Sequence, residues 1–231
     1  MQGLSERLRA VAFLAAAGRC VADVGTDHGY IPIYLLEQGK FQRAIAMDLR
    51  EGPLCRAREN RDHYGFRERM DLRRGDGLCA LEPGEADTVV IAGMGGGLVI
   101  KILTEGKDVL EGVEKLVLQP QSEIGRVREF LQKSEYRIEA EHMVWEDGKF
   151  YPMMRAVHGH MDPLDDLERR YGPLLLRQKD PCLGRYLDWE KKMLLGIREN
   201  LRKKSGEKSA VRLGEVEEEL WEIQRAKERL R

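Results

Sequence analysis

The amino-acid sequence predicts an α/β chain: a Rossmann-like, mostly parallel sheet covered by helices, followed by an antiparallel, coiled-coil-like pair of helices. Three observations predict it. Short apolar runs alternate five times with helical patterns. Two strand-like runs joined through Asp147-Gly148 come next. Two long stretches with apolar residues at three- and four-residue steps end the chain.

In order, Leu4, Leu8, Val11, Ala12 and Ala15 recur at helical spacing, with Gly18 as the expected stop. A strand at 20–24 runs into Gly25-Thr-Asp-His-Gly29, and a helix starts near Tyr30, where Pro32 is tolerated in the first turn, and closes at Gly39. A strand at 43–47 ends in Asp48, and a helix at 52–64 stops at Gly65. The third strand, 70–73, leads into Gly75-Asp-Gly77. The fourth, 88–92, opens into Gly93-Met-Gly-Gly-Gly97 ahead of a short helix at 98–103. The fifth, 115–118, is broken by Gln119-Pro120 and followed by a helix at 123–133. The runs 137–145 and 149–157 lie too close for a helix between them, so they should pair antiparallel at the sheet edge. These elements define a first domain, 1–160.

The second domain, 161–231, opens with a connector punctuated by Pro163, Pro173 and Pro181 and containing one short helix, 164–176. Leu183, Leu187, Leu194, Ile197 and Leu201 then form an apolar seam that Glu190 interrupts. Leu213, Val216, Leu220, Ile223 and Leu230 form another, interrupted by Lys227. The polar stretch 204–209 should let the two helices fold back on each other. Two such helices carry too few large apolar residues for a core of their own.

Bulk composition sets limits. At 231 residues, 42% hydrophobic and 34% charged, the chain is neither disordered nor membrane-like. No apolar run approaches the roughly 20 residues that span a bilayer, and the basic, helix-patterned start lacks a signal-peptide layout. A cytoplasmic protein is the expectation. Four dispersed cysteines without a CxxC pair, and five scattered histidines, suggest neither zinc nor a disulfide framework. A net charge of −1 does not exclude a nucleic-acid partner, because phosphates respond to local patches. One patch stands out: Arg185, Lys191, Lys192, Arg198, Arg202, Lys203 and Lys204 outweigh Asp188, Glu190 and Glu199 on one predicted helix.

Chemistry concentrates at the ends of the parallel strands. Asp23, Gly25, Thr26, Asp27, His28 and Gly29 occupy the first strand-to-helix switch, where open sheets bind ligands and glycines let backbone approach them. Asp27 stands where the usual glycine-rich fingerprint has its middle glycine. A pyrophosphate would meet a carboxylate where it needs N–H donors. S-adenosylmethionine carries a sulfonium and an ammonium and no phosphate, so a methyl donor fits better than a nicotinamide dinucleotide. The antiparallel hairpin agrees, since a dehydrogenase domain normally continues with another crossover. Asp48 and Leu49 fall roughly 20 residues past the first glycine, where a carboxylate holds ribose hydroxyls; Asp48 is equally placed to cap the next helix. Asp76 and Gly77 suit the adenine amino group or a plain turn. Ala92, Gly93 and Met94 open room for a cofactor and an incoming base, with Met94 as wedge or core residue.

These motifs together resemble a known family. Leu4-Ser-Glu-Arg-Leu8, the run 22–30, Gly75-Asp-Gly-Leu78, Ile91-Ala-Gly-Met-Gly-Gly96, Leu118-Gln-Pro120 and Glu146-Asp-Gly-Lys149 are similar to the bacterial tRNA (adenine-22)-N1-methyltransferase family, TrmK, over 4–158. The resemblance implies a class I methyltransferase domain using S-adenosylmethionine, with Asp23, Gly25, Asp27, Asp48, Asp76, Gly77, Ala92 and Gly93 at the cofactor. It implies a catalytically important carboxylate at Asp27 and a helical tail that engages tRNA. The family often has Glu where this chain has Asp48, which shifts the ribose contact without removing it.

Adenine N1 has an available lone pair and needs little beyond alignment with the methyl group. Asp27 is expected to accept the N6 amino hydrogen and offset the positive charge that develops on the base, rather than to act as a strong base. Gln119 and Pro120 are expected to line the base slot. Tyr151 is edge packing or a stacking platform, and His28 is structural or a contact to base or phosphate. Arg185, Lys191, Lys192 and Arg198 follow an RNA backbone or form a solvated face. Three rivals stay open: a methyltransferase for another RNA or a small metabolite, a dehydrogenase, and a non-catalytic RNA-binding protein. Whether the chain is a monomer or a weak dimer is undecided.

Overall fold

The computed structural model describes residues 4–203 and 206–231; Lys204 of the expected basic patch lies outside them. The chain divides into two compact units after Pro163.

In the first unit, α1 (Glu6–Ala15), β1 (Gly18–Val24), α2 (Tyr30–Glu37), β2 (Phe41–Asp48), α3 (Glu51–His63), β3 (Met70–Arg74), β4 (Thr88–Met94), α4 (Gly96–Glu105), α5 (Lys107–Leu110), β5 (Lys115–Pro120) and α6 (Ile124–Lys133) precede the hairpin of β6 (Tyr136–Glu146) and β7 (Lys149–His158). The seven strands lie in the order β3-β2-β1-β4-β5-β7-β6. β1 to β5 are mutually parallel, and β7 runs antiparallel between β5 and β6. The chain winds outward from β1 through β2 to β3, then crosses back to β4 on the other side of β1, so the order reverses between β1 and β4. Crevices at such reversals, past the carboxyl ends of the strands, are where open α/β sheets take ligands.

The sequence explains these elements. Val21, Ala22, Ala44, Ala46, Val89, Val90, Ile91 and Leu116 to Leu118 are buried, as central parallel strands require. β6 alternates between buried and exposed residues because it is the edge. The hairpin turns on Asp147 and Gly148 at φ of 48° and 78°, the left-handed pair a two-residue connection needs. Ser5 caps α1, its hydroxyl accepting from Leu8 N at 3.3 Å. α1 does not run to Gly18: it closes at Ala16, and Gly18 opens β1, where a Cβ would come within 2.5 Å of Asp87 Oδ1. Arg128 on α6 and Glu141 on β6, both nearly inaccessible, pair at 2.9 Å and tie helix to sheet. Gly96 and Gly97 belong to α4 rather than to a loop before it.

In the second unit the expected helix at 164–176 is two, α7 (Asp166–Tyr171) and α8 (Pro173–Arg177). Gly172, at φ 103°, breaks it, and Pro173 starts the next helix at the position where a missing N–H costs nothing. α9 (Pro181–Arg202) and α10 (Glu207–Arg229) follow. Asp188 pairs with Lys227, and Arg202 with Glu217, so α9 and α10 run antiparallel. The two residues that interrupted the apolar seams have polar work. Lys227 makes that pair with Asp188, while Glu190 accepts from Arg170 and the hydroxyls of Tyr171 and Tyr186, each at 3.0 Å. The long pair does not form a core by itself. Leu167, Tyr171, Leu175 and Leu176 from α7 and α8 are buried along with Leu183, Leu187, Leu194, Val216 and Ile223. Counting only the long pair left out the short helices that complete the packing. No helix among the described residues is long and apolar enough to cross a membrane.

Candidate functional site

Five strands deliver their carboxyl ends to one rim of the sheet. Past β1, the N–H groups of Gly25 and Thr26 both donate to Met47 O of β2, at 2.8 and 2.9 Å. Gly25 sits at φ 77°, and a Cβ there would fall 2.0 Å from Met94 Cε. The methionine that ends β4 therefore lies against bare backbone at the end of β1, on the crevice side. Met94 is half-buried there. The turn is fixed from within: Thr26 Oγ1 accepts from Gly29 N at 3.2 Å, and Asn60 Nδ2 donates to His28 O at 2.9 Å. Thr26 is buried and acts through the turn.

Two carboxylates, Asp23 and Asp48, stand at the ends of β1 and β2. Asp23, only 5% exposed, is pushed up from 3.8 to about 6; burial is the main cause, a hydrogen bond with Thr26 works against it, and the negative charge of Asp48 adds to it. Asp48 Oδ1 accepts from Arg50 N at 2.7 Å, in the turn that leads into α3. It thus supports that turn while remaining at the rim. Leu49 beside it is exposed, as is Asp76 past β3.

Asp27 is different. Its side chain is 65% exposed and pairs with Arg56 from α3, with His28 Nε2 at 3.4 Å. The hydrogen bond from Arg56 holds its carboxyl below the usual range, so it is ionised at neutral pH. The His28 ring stacks on Tyr30, centroids 4.9 Å apart and planes within 6°. Arg56 and Tyr30 were not singled out in the sequence. Their offsets on α3 and α2 carry no motif, although a cation on α3 facing an acidic turn is a signal that could have been sought.

At the other side of the crevice, Gly93 has φ 81°. Its N–H donates to Gln119 Oε1 at 3.2 Å, and the same oxygen accepts from Arg7 Nη1 at 3.0 Å. Gln119 is 0% exposed, and Pro120 is buried too. The expectation that they line a base slot meets a packed interior instead: Gln119 faces the Gly93 backbone. Tyr151 lies under the Arg7 guanidinium, 5.4 Å from its ring centroid, which favours its packing role over a stacking platform. Beyond them, Ser122 O accepts from Gly96 N at 3.1 Å and Glu123 Oε2 from Gly97 N at 3.0 Å, so the glycine-rich segment is pinned. A cavity of about 550 Å³, lined by Phe130, Tyr136 and His158 among others, lies away from this rim, at the point where β6 begins and β7 ends.

In the helical unit Lys192 is exposed, Lys191 and Arg198 are half-buried, and Arg185 is exposed. They do not share residues with the crevice.

The crevice suits a cationic ligand. Asp23 and Asp48 bring negative charge to the strand ends, Asp27 adds a third carboxylate paired with Arg56, and bare backbone at Gly93, where a Cβ would meet nothing nearer than 3.8 Å, leaves room for close approach, whereas Met94 fills the space over Gly25. A pyrophosphate would find the Asp27 carboxylate in its place.

Comparisons with known proteins agree. A family profile described as a methyltransferase domain matches residues 4–154. The tRNA (adenine(22)-N(1))-methyltransferase of Bacillus subtilis strain 168 is 38% identical over 182 residues, 77% of this chain and 76% of that one. The crystal structure of the B. subtilis m1A22 tRNA methyltransferase TrmK superposes with a TM-score of 0.86 at 32% identity, covering 98% of this chain and 99% of that one. Streptococcus pneumoniae Sp1610 in complex with S-adenosyl-L-methionine gives 0.85 at 32% identity, over 97% and 99%. A carboxylate-rimmed crevice at the sheet's reversal point, on a chain that matches these relatives over most of its length, means that this protein belongs to the tRNA (adenine(22)-N(1))-methyltransferase family.

Proposed function

We propose that this chain transfers the methyl group of S-adenosylmethionine to N1 of adenine 22 in tRNA, with Asp27 as the catalytic carboxylate. The observation that carries the reading is Asp27 itself: a carboxylate kept ionised by Arg56 and largely exposed, in the turn that follows the buried Asp23 at the end of β1.

When bound, the cofactor supplies a methyl group on a cationic sulfur, open to attack by a ring-nitrogen lone pair. Asp48 is placed to accept from ribose hydroxyls, Asp76 with Gly77 to address the adenine end, and Asp23 with Gly25 to accommodate the amino-acid end. Ala92, Gly93 and Met94 bound the space where the target base enters. Asp27 accepts a hydrogen from the N6 amino group, aligning the base. As N1 takes the methyl group and the base becomes cationic, the fixed negative charge of Asp27 lowers the barrier without having to remove a proton. Its depressed proton affinity fits this role better than that of a general base.

Adenine N1 is on the pairing edge, so the RNA must present that edge unpaired, at some cost in stacking and pairing. Arg185, Lys191, Lys192 and Arg198 on α9 offer charge to a tRNA backbone, which fits a macromolecular substrate and action in the cytoplasm, where tRNA is found. Incubation with methyl-labelled cofactor and unmodified tRNA, followed by nucleoside separation, tests the reading. Label in 1-methyladenosine supports it; label in another nucleoside, or transfer only to small molecules, overturns it.

A further inference from the structure

We infer that Arg7, on the first helix, is a positioning residue for methyl transfer: through the Gln119 side-chain amide it sets the backbone of Gly93 at the end of β4. The inference rests on the methyl-transfer reading above.

Two donors converge on one atom. Arg7 Nη1 at 3.0 Å and Gly93 N at 3.2 Å both donate to Gln119 Oε1, while Gln119 Nε2 donates to Pro120 O at 3.4 Å. A guanidinium can only donate, and so can a backbone N–H. The amide of Gln119 therefore has one acceptable orientation, because rotating it by half a turn would set its NH2 against both donors. With Gln119 fully buried, no water competes for the position.

Arg7 is held in turn by the hairpin. Its own N–H donates to Glu146 Oε1 at 3.3 Å, and its guanidinium lies over the Tyr151 ring. One cation thus links three segments: the hairpin, the end of β5 and the end of β4. What it controls is a glycine at φ 81°, a residue with more than one accessible backbone state. The next residue is Met94, whose side chain lies against Gly25. A turned Gly93 peptide would carry Met94 away from the first strand and change the space between cofactor and base. Without Arg7, Gln119 keeps only one of the two donors that fix its amide, and the Gly93 N–H faces a less firmly held acceptor.

A purely structural Arg7, fastening α1 to the hairpin, predicts something else: a looser α1 and an undisturbed Gly93. The full chain and its Arg7→Ala, Arg7→Lys, Gln119→Leu and Arg7→Ala/Gln119→Leu variants separate the two. In the cofactor-free proteins, amide hydrogen exchange at Gly93 is read by NMR beside that of Val11 in α1. In the loaded enzymes, kcat and KM for tRNA are measured. The expected result is Gly93 exchange about tenfold faster in Arg7→Ala, with Val11 unchanged, as for loss of one fixed hydrogen bond. kcat should fall about tenfold with KM for tRNA within about twofold, and Arg7→Lys should recover most of the loss. The double variant should be no slower than Gln119→Leu alone, since both act through one contact. Wild-type kcat in Arg7→Ala, multiplicative losses in the double variant, or faster exchange in α1 with Gly93 unmoved would overturn the inference. A wild-type chain that transfers no methyl group to tRNA would instead overturn the functional reading, and this inference with it.

Discussion

Asp23→Asn should make the empty protein more stable and its cofactor binding weaker. Asp23 releases its proton near 3.8 when unfolded and near 6 when folded, chiefly because it is buried. Between those values the folded chain holds a proton that the unfolded chain has lost. Stability therefore falls as pH rises through that window, and the cost is complete above about pH 6. At about 1.4 kcal/mol per pH unit, the cost approaches 3 kcal/mol. Asparagine has nearly the same shape and no charge to bury. Allowing about 1 kcal/mol for a poorer hydrogen bond with Thr26, the variant should gain about 2 kcal/mol at pH 8. That corresponds to a rise in Tm of about 4–8 °C for a chain of this size. Near pH 4 the wild-type side chain is protonated when folded and about half protonated when unfolded, so the charge cost drops below the roughly 1 kcal/mol allowed for the hydrogen bond and the gain should vanish. Thermal unfolding of both proteins from pH 4 to pH 8, together with calorimetric titration of S-adenosylmethionine at pH 8, reads the two effects. Weaker binding by about tenfold is expected, because the carboxylate whose burial is unfavourable in the empty crevice is offset there by a cationic ligand. A variant less stable at pH 8, a stability difference independent of pH, or unchanged cofactor affinity would refute the reasoning.

Asp27→Asn should lower kcat about a hundredfold while leaving cofactor affinity within a few-fold and Tm nearly unchanged, since the lost carboxylate is exposed and acts on developing charge; single-turnover kinetics checks it. Gly96→Ala should destabilise by about 1–3 kcal/mol, because its Cβ would sit 2.5 Å from Ser122 O in backbone that cannot easily give way. Gly196→Ala, in α9 with no atom within 4 Å, should stabilise by about 0.5–1 kcal/mol; urea titrations compare the pair. Replacing Lys191, Lys192 and Arg198 together by Ala should raise KM for tRNA and flatten its dependence on salt, with cofactor affinity unaltered. Steady-state rates at several salt concentrations would show it.

The fold was legible because its strands announce themselves. Buried parallel strands such as 88–92 are unbroken apolar runs, and Asp147-Gly148 can make only a tight turn. Errors fell where a tertiary partner decides. Gly18 resembled a helix stop, but its small size serves the close approach of Asp87. Gly96 and Gly97 resembled an open loop, yet Ser122 and Glu123 cap them into a helix. Glu190 resembled a fault in an apolar seam; Tyr186 lies one turn before it on the same helix, but no local pattern could reveal Arg170 and Tyr171 converging on it as well. At the site, the acidic and glycine residues were visible because their spacing follows strand ends. Arg56 and Arg7 were not, since each reaches its partner across the fold: Arg56 to Asp27, Arg7 to Gln119. Gln119 was correctly placed at the rim by its position in the chain, but burial turned it from a wall of the slot into a support beneath Gly93.

Mapping the product on the tRNA bears most directly on the central claim. Unmodified tRNA treated with this protein and S-adenosylmethionine, then cut by a base-specific nuclease and read by mass spectrometry, should carry a single new methyl group on N1 of adenine 22, appearing about a hundredfold more slowly when Asp27→Asn replaces the wild type under single-turnover conditions. A methyl group at another position, or full modification by the Asp27→Asn variant at the wild-type rate, would contradict it.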